Sequence, residues 1–169
     1  MNLEKYAFRQ KLEFSILTKR KIEQPVIIQD GIKMKTPAKT KGAHHIGLTV
    51  PDIAETRDFF VNVLGFSIVG ERPNYPAVFV SDGTIMITLW QATDPATATP
   101  FDRKSVIGLH HLALQVADHA ALEALGQTLA ETDGVTIEFA PEQLGETPLR
   151  HLMCAIPGGI RVEFIAAQN

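Results

Sequence analysis

The chain has 169 residues, 45% hydrophobic and 21% charged, with a formal net charge of −3. That length suits one ordinary domain, or two small modules sharing a core, and that balance is globular rather than disordered. No run of roughly 18 apolar residues is present, so no helix is expected to span a membrane. The single Cys154 excludes an internal disulfide framework, fits a reducing compartment and makes the cytoplasm the expected location.

The net charge hides an asymmetry. Residues 1–41 hold ten Lys/Arg against four Asp/Glu, and the remainder holds six against fifteen. An acidic body argues against binding a phosphate backbone, so no nucleic-acid partner is expected. The basic leader, 1–41, is read as a solvated extension peripheral to the functional body. Glu4, Glu13, Glu23 and Asp30 interrupt any transit-peptide pattern, and its apolar residues never run long enough for a secretory signal. Residues 12–16 and 25–28 are short strand candidates, and 36–42 is a polar linker. Met34 offers an internal start site that would leave the first 33 residues outside the functional unit.

After the linker, a phrase occurs twice. Residues 44–53 read HHIGLTVPDI and residues 110–119 read HHLALQVADH. In each copy a His-His pair leads into alternating apolar residues, the mark of a half-buried strand. An Asp follows, placed to cap a helix (Asp52, with Glu55 completing a capping box, and Asp118). The first helix carries Ile53, Phe59, Phe60, Val63 and Leu64 and ends at Gly65, suited to the left-handed position after a helix. Strand candidates follow at 66–71, 77–81 and 84–90, with Asp82-Gly83 as a hairpin turn. The second copy repeats the order: a helix with Leu122, Leu125 and Leu129 ending near Gly134, then strands at 136–139, 149–155 and 160–165. The expected fold class is α+β. Two tandem β-α-β-β-β modules (42–92 and 107–166, joined by a linker at 93–106) form a curled mixed sheet around a cavity.

Strand phase then selects the side chains facing that cavity. His45 and His111 point inward from the first strand of each module, whereas His44 and His110 point the other way. Ile160, Val162 and Phe164 form the apolar face of the last strand, which turns Arg161 and Glu163 inward. By the same rule Thr88 and Trp90 point inward from the first module, and Thr88 is the repeat-related mate of Glu163. Two imidazoles and one carboxylate make a 2-His-1-carboxylate set of His45, His111 and Glu163, suited to Fe, Mn, Ni or Zn with coordination positions left open. A lone Glu in the strand IRVEFI is costly to bury unless it is paired or metal-bound. The competing reading makes both histidines hydrogen-bonded core residues inherited by duplication.

The segments HHIGLTVPDIAETRDFFVNVLGF, GTIMITLW, GLHHLALQV and PGGIRVEFI, spanning 44–165, resemble the vicinal oxygen chelate superfamily. That superfamily contains glyoxalase I, extradiol dioxygenases, fosfomycin-resistance thiol transferases and bleomycin-resistance proteins. The resemblance implies a divalent metal held by His45, His111 and Glu163, chelating a small oxygenated substrate. Where glyoxalase I has a fourth ligand, a Glu, this chain has Thr88, which is a poor ligand and no base. The implied activity is a glyoxalase-like lyase or isomerase. The alternatives are an extradiol Fe(II) dioxygenase or thiol transferase, and a non-catalytic drug-binding protein. Glu163 and His151 are the candidate bases. Arg150, Trp90, Thr88, Arg72 and Tyr75 are the candidate substrate contacts, with Arg103 a further one, and a homodimer is the expected assembly.

Overall fold

The alternating phrase forms the same structure at both positions in the computed structural model, which describes residues 39–168. The first module runs β1 (His45–Val50), α1 (Ile53–Asp58), a π-helical turn (Phe59–Val63), β2 (Ser67–Arg72), β3 (Ala77–Ser81) and β4 (Met86–Gln91). The second runs β5 (Leu112–Val116), α2 (His119–Ala130), β6 (Thr136–Gln143), β7 (Arg150–Ala155) and β8 (Arg161–Ala166). The fold is α+β, built on two four-stranded mixed sheets ordered β1-β4-β3-β2 and β5-β8-β7-β6. In each sheet the opening strand lies parallel to the closing strand, and the other pairs are antiparallel. Parallel partners need a long connection, and here it is the helix and two hairpin strands between them. The described residues from Lys41 onward belong to one compact unit. The strand candidates at 12–16 and 25–28 lie outside the described residues.

Both helices start where a short carboxylate can accept from an otherwise unpaired backbone amide. Asp52 is extended, and its Oδ1 accepts from Glu55 N at 3.0 Å. Asp118 does the same for Ala121 N at 2.8 Å. The first helix then widens. Phe59 and Phe60 are both buried inside the π turn, and the chain leaves it through Gly65 at φ 74°. A residue with a Cβ is strained at that angle, which accounts for glycine in the Leu-Gly-Phe stop. The Phe60 ring meets Phe66 edge-on at 5.2 Å, so the helix exit is fixed by packing as well as by the turn.

Period 2 sorts each strand into a helix-facing and an opposite side. Leu48, Val50, Val80, Ile87 and Leu89 are buried beneath Phe59 and Phe60. Leu152, Cys154, Val162 and Phe164 are their counterparts beneath Leu122 and Leu129, and all belong to one continuous core. Thr56, fully buried on α1, ties the modules together: its hydroxyl lies 2.9 Å from Asp52 O and 3.3 Å from Pro157 O in the β7–β8 turn. Leaving that carbonyl without a partner would cost about 1–3 kcal/mol. The helix-facing side is therefore committed to the core, and chemistry is left to the opposite side.

Cys154 is fully buried, and loss of hydration, reinforced by the charge on Glu138, pushes its thiol from 9.0 up to about 12. A raised folded-state value means that its contribution to stability is intact below the ordinary thiol range and is lost as pH rises toward the folded value. The native protein is expected to resist iodoacetamide at about pH 8.5 and to react once unfolded in urea. Alkylation of the folded protein at the unfolded rate would contradict that burial.

Candidate active site

Glu163 stands at the centre of the free face of the second sheet. Ala113 on β5 and Met153 on β7 flank it in register. In the first sheet the same place, opposite Gly47 and Phe79, is held by Thr88. The hydrogen-bond register thus makes Thr88 and Glu163 equivalent positions of the repeat.

Glu163 is only 9% exposed, and two imidazoles flank its carboxylate. His151 Nδ1–H donates to Oε1 at 2.6 Å. His111 Nε2 lies 3.2 Å from Oε2. A buried carboxylate without donors is strongly disfavoured, and these two contacts supply what water would otherwise provide. Each imidazole has a second neighbour. His111 Nδ1 is 2.8 Å from His110 Nδ1, and His151 Nε2 is 3.8 Å from Glu142 Oε1. The Phe139 ring covers His151 at 4.9 Å. The result is a fixed row, His111–Glu163–His151, on one sheet face.

Two residues along β8 toward its start, the same face carries Arg161, 7% exposed. Its Nε and Nη2 both bond the Glu138 carboxylate, at 2.9–3.0 Å. Glu138 sits at a register shift between Ile137 and Phe139, and its carboxylate meets Arg161 on the free face. Hydrogen bonding from Arg161, and then the charges of Arg161 and Arg103, hold the Glu138 carboxyl below its ordinary value. Arg103, from the loop between the modules, approaches the same carboxylate at 3.8 Å.

The first module presents an aromatic face instead. Trp90 Nε1 donates to Thr88 Oγ1 at 2.9 Å. Tyr75 and Phe79 lie against the indole at 5.2 and 5.9 Å. A Cβ on Gly47 would come within 3.3 Å of that Thr88 hydroxyl, so glycine keeps the space above the pair clear. Thr88 is 3% exposed and bound to Trp90, and it offers no carboxylate.

The expected residues are therefore divided. His111, Glu163 and His151 come together. His45 does not join them in one chain; its ring pairs with His44, Nδ1 to Nδ1 at 3.0 Å. Among the described residues no group of three or more His, Cys, Asp or Glu side chains is arranged to hold a metal. Arg150, expected at the substrate, is one residue out of phase with His151. It faces α2, where it pairs with Glu123 and donates to Pro141 O at 2.8 Å. Arg72 lies exposed at the end of β2, opposite Ala77. Glu138, Glu142 and Phe79 were missed. A buried Arg161 demands an anionic partner, so a carboxylate on the adjoining strands was the available signal.

The donor chemistry of the second module suits a divalent cation. Metal bonds of about 2.0–2.2 Å to His and Glu place neighbouring ligand atoms roughly 3 Å apart. The 3.2 Å between His111 Nε2 and Glu163 Oε2 matches that spacing. His151 is bonded to the other carboxylate oxygen, leaving the His111 side of the carboxylate as the side that could hold a cation.

Comparison with known proteins places this geometry in context. Residues 42–164 match the model of the Glyoxalase/Bleomycin resistance protein/Dioxygenase superfamily. The chain is 26% identical over 144 residues to a 2-epi-5-epi-valiolone epimerase from Actinomyces sp, covering 72% of this chain and 77% of that protein. It is 32% identical over 97 residues to the Catechol-2,3-dioxygenase of Bacillus subtilis (strain 168), covering 53% of this chain but only 34% of the dioxygenase. A glyoxylase/bleomycin resistance protein/dioxygenase domain from Frankia sp. EAN1pec shares its fold, with TM-score 0.66 at 21% identity, covering 77% of this chain and all of that one. With two β-α-β-β-β modules in one core and a match across nearly the whole described body, the chain belongs to the Glyoxalase/Bleomycin resistance protein/Dioxygenase superfamily.

Proposed function

We propose that this protein is a metal-dependent lyase or isomerase of glyoxalase type, acting on a small oxygenated substrate. The observation that carries the reading is the buried Glu163 carboxylate held between His111 and His151. His111 and Glu163 would hold a divalent ion, Fe, Mn, Ni or Zn, together with the His45 of a second copy in a homodimer. When bound, the ion supplies Lewis-acid stabilisation of negative charge on a substrate oxygen.

The protein's own groups account for the rest. His151 Nδ1–H fixes the Glu163 carboxylate and is a positioning residue; its Nε2 points toward Glu142. Glu163 is the one carboxylate at the repeat-related pair of positions, because Thr88 stands at the other. Proton removal next to a substrate carbonyl therefore falls to the Glu163 carboxylate, which the His151 Nδ1–H holds in place. Trp90, Tyr75 and Phe79 form an aromatic patch on the free face of the first module, the surface assigned here to the apolar part of the substrate. The likeness to an epimerase over most of both chains favours proton-transfer chemistry. A second reading, an Fe(II) ring-cleaving dioxygenase, draws on the likeness to a catechol dioxygenase and on the three-ligand set. A non-catalytic drug binder has no use for the Glu163 row.

Metal content of anaerobically purified protein tests the centre. The expected result is one divalent ion per chain, with affinity reduced at least about tenfold in His111→Ala, Glu163→Gln and His45→Ala. Iron, with oxygen consumption on catechols, would replace the isomerase reading by the dioxygenase one. No bound metal, and no effect of these substitutions, would remove both.

Sharing of the site is tested by mixing His45→Ala with His111→Ala protein. If each site takes one residue from each copy, subunit exchange regenerates intact sites in the mixed dimers, roughly a quarter of the wild-type number. No recovery, with a monomeric mass in solution, would exclude a shared site.

A further inference from the structure

The free face of the second sheet does not end at Glu163. Beyond Arg161 it opens into a cavity of about 720 Å³, lined on its other side by the inter-module loop at 99–106 and open to solvent. Arg103, Lys104, Arg161, Asp102 and Glu138 line it, together with Ala155 and Gly159. The three cations and two carboxylates leave it net positive, although residues 42–169 as a whole carry an excess of acid.

Both carboxylates are already engaged. Asp102 Oδ1 accepts from the backbone amides of Lys104 and Ser105, at 2.7 and 3.2 Å, and so holds the loop's own turn. Glu138 is taken up by Arg161, with Arg103 beside it. Arg161 uses Nε and Nη2 on that carboxylate, and no bond from its Nη1 occurs among the described residues. Glu138 thus acts as a brace. It fixes the buried Arg161 side chain (9% exposed) in one orientation, and Arg103 and Lys104 keep the pocket net positive. Fixed guanidinium groups are suited to planar oxyanions.

Position supplies the rest. Arg161 and Glu163 are alternate residues on one strand face, so their side chains emerge roughly 6–7 Å apart. We propose that this cavity binds a carboxylate or phosphate group of the substrate, through Arg161 and Arg103. The substrate is then an anion whose charged end lies about one sugar or aromatic ring's width from the atoms that face Glu163. The statement about substrate class rests on the proposed function, but anion binding by the cavity does not.

The two can be separated by working on intact, metal-free protein in the presence of a chelator. Amide NMR signals are followed while inorganic phosphate, and separately propionate, is titrated at ionic strength held constant with chloride. The expected result is saturable shifts confined to the 99–106 loop, Ala155, Gly159 and Arg161. Arg103→Glu is expected to weaken binding by at least about threefold, as for loss of a partly exposed charge contact. Arg161→Lys should weaken it also, and serves in place of a truncation that could unfold a buried site. The tighter of the two probes identifies the anion class. Shifts that do not saturate, or that match those given by chloride, would overturn the proposal. So would saturable binding unchanged in both variants. Failure of metal binding with anion binding intact would count against the proposed function alone.

Discussion

The structure of the site depends on how one carboxylate is kept buried at the centre of a sheet face. Glu163 sits on a strand whose neighbours, Val162 and Phe164, are committed to the core, so it cannot withdraw without disturbing the packing beneath it. Burial without donors would be prohibitive. His151 on β7 and His111, immediately before β5, remove that penalty, and in doing so they fix which oxygen faces which partner.

Duplication explains why the two halves share an architecture, and divergence explains why only one half carries the acid. The first module keeps the sheet, the capped helix and the His-His opening. At the place of Glu163 it has Thr88, whose hydroxyl accepts from Trp90, and it surrounds that bond with Tyr75 and Phe79. One module contributes an apolar wall and the other an ionic row. In a single chain His45 belongs to the first face and stays paired with His44, apart from Glu163.

Much of this was legible from residue spacing. The period of two in HHIGLTV, HHLALQV and IRVEFI separates core from free face, and the register agrees with the pairing of Thr88 and Glu163. Asp52 and Asp118 announced their helices, and Gly65 its end. What spacing could not supply was side-chain partnership across strands distant in sequence. The bond between His151 and Glu163 joins β7 to β8, and the Arg161–Glu138 pair crosses a register shift that alternation alone does not anticipate. Arg150 shows the opposite failure. Its chemistry suggested a substrate contact, while its phase, one residue from His151, already placed it on the helix side with Glu123. Nor does alternation place one module's free face against another's, so it could not separate a site within one chain from one between copies.

The central claim is that the oxygen of Glu163 facing His111 is a ligand rather than half of an ion pair. Crystals of the protein loaded with Mn(II) and measured for anomalous scattering test it most directly. The account predicts one strong peak per chain, about 2.0–2.2 Å from both Glu163 Oε2 and His111 Nε2. A His45 imidazole from the neighbouring copy should complete the set. Manganese bound elsewhere, or absent while Glu163 and His111 stay in direct contact at 3.2 Å, would contradict it.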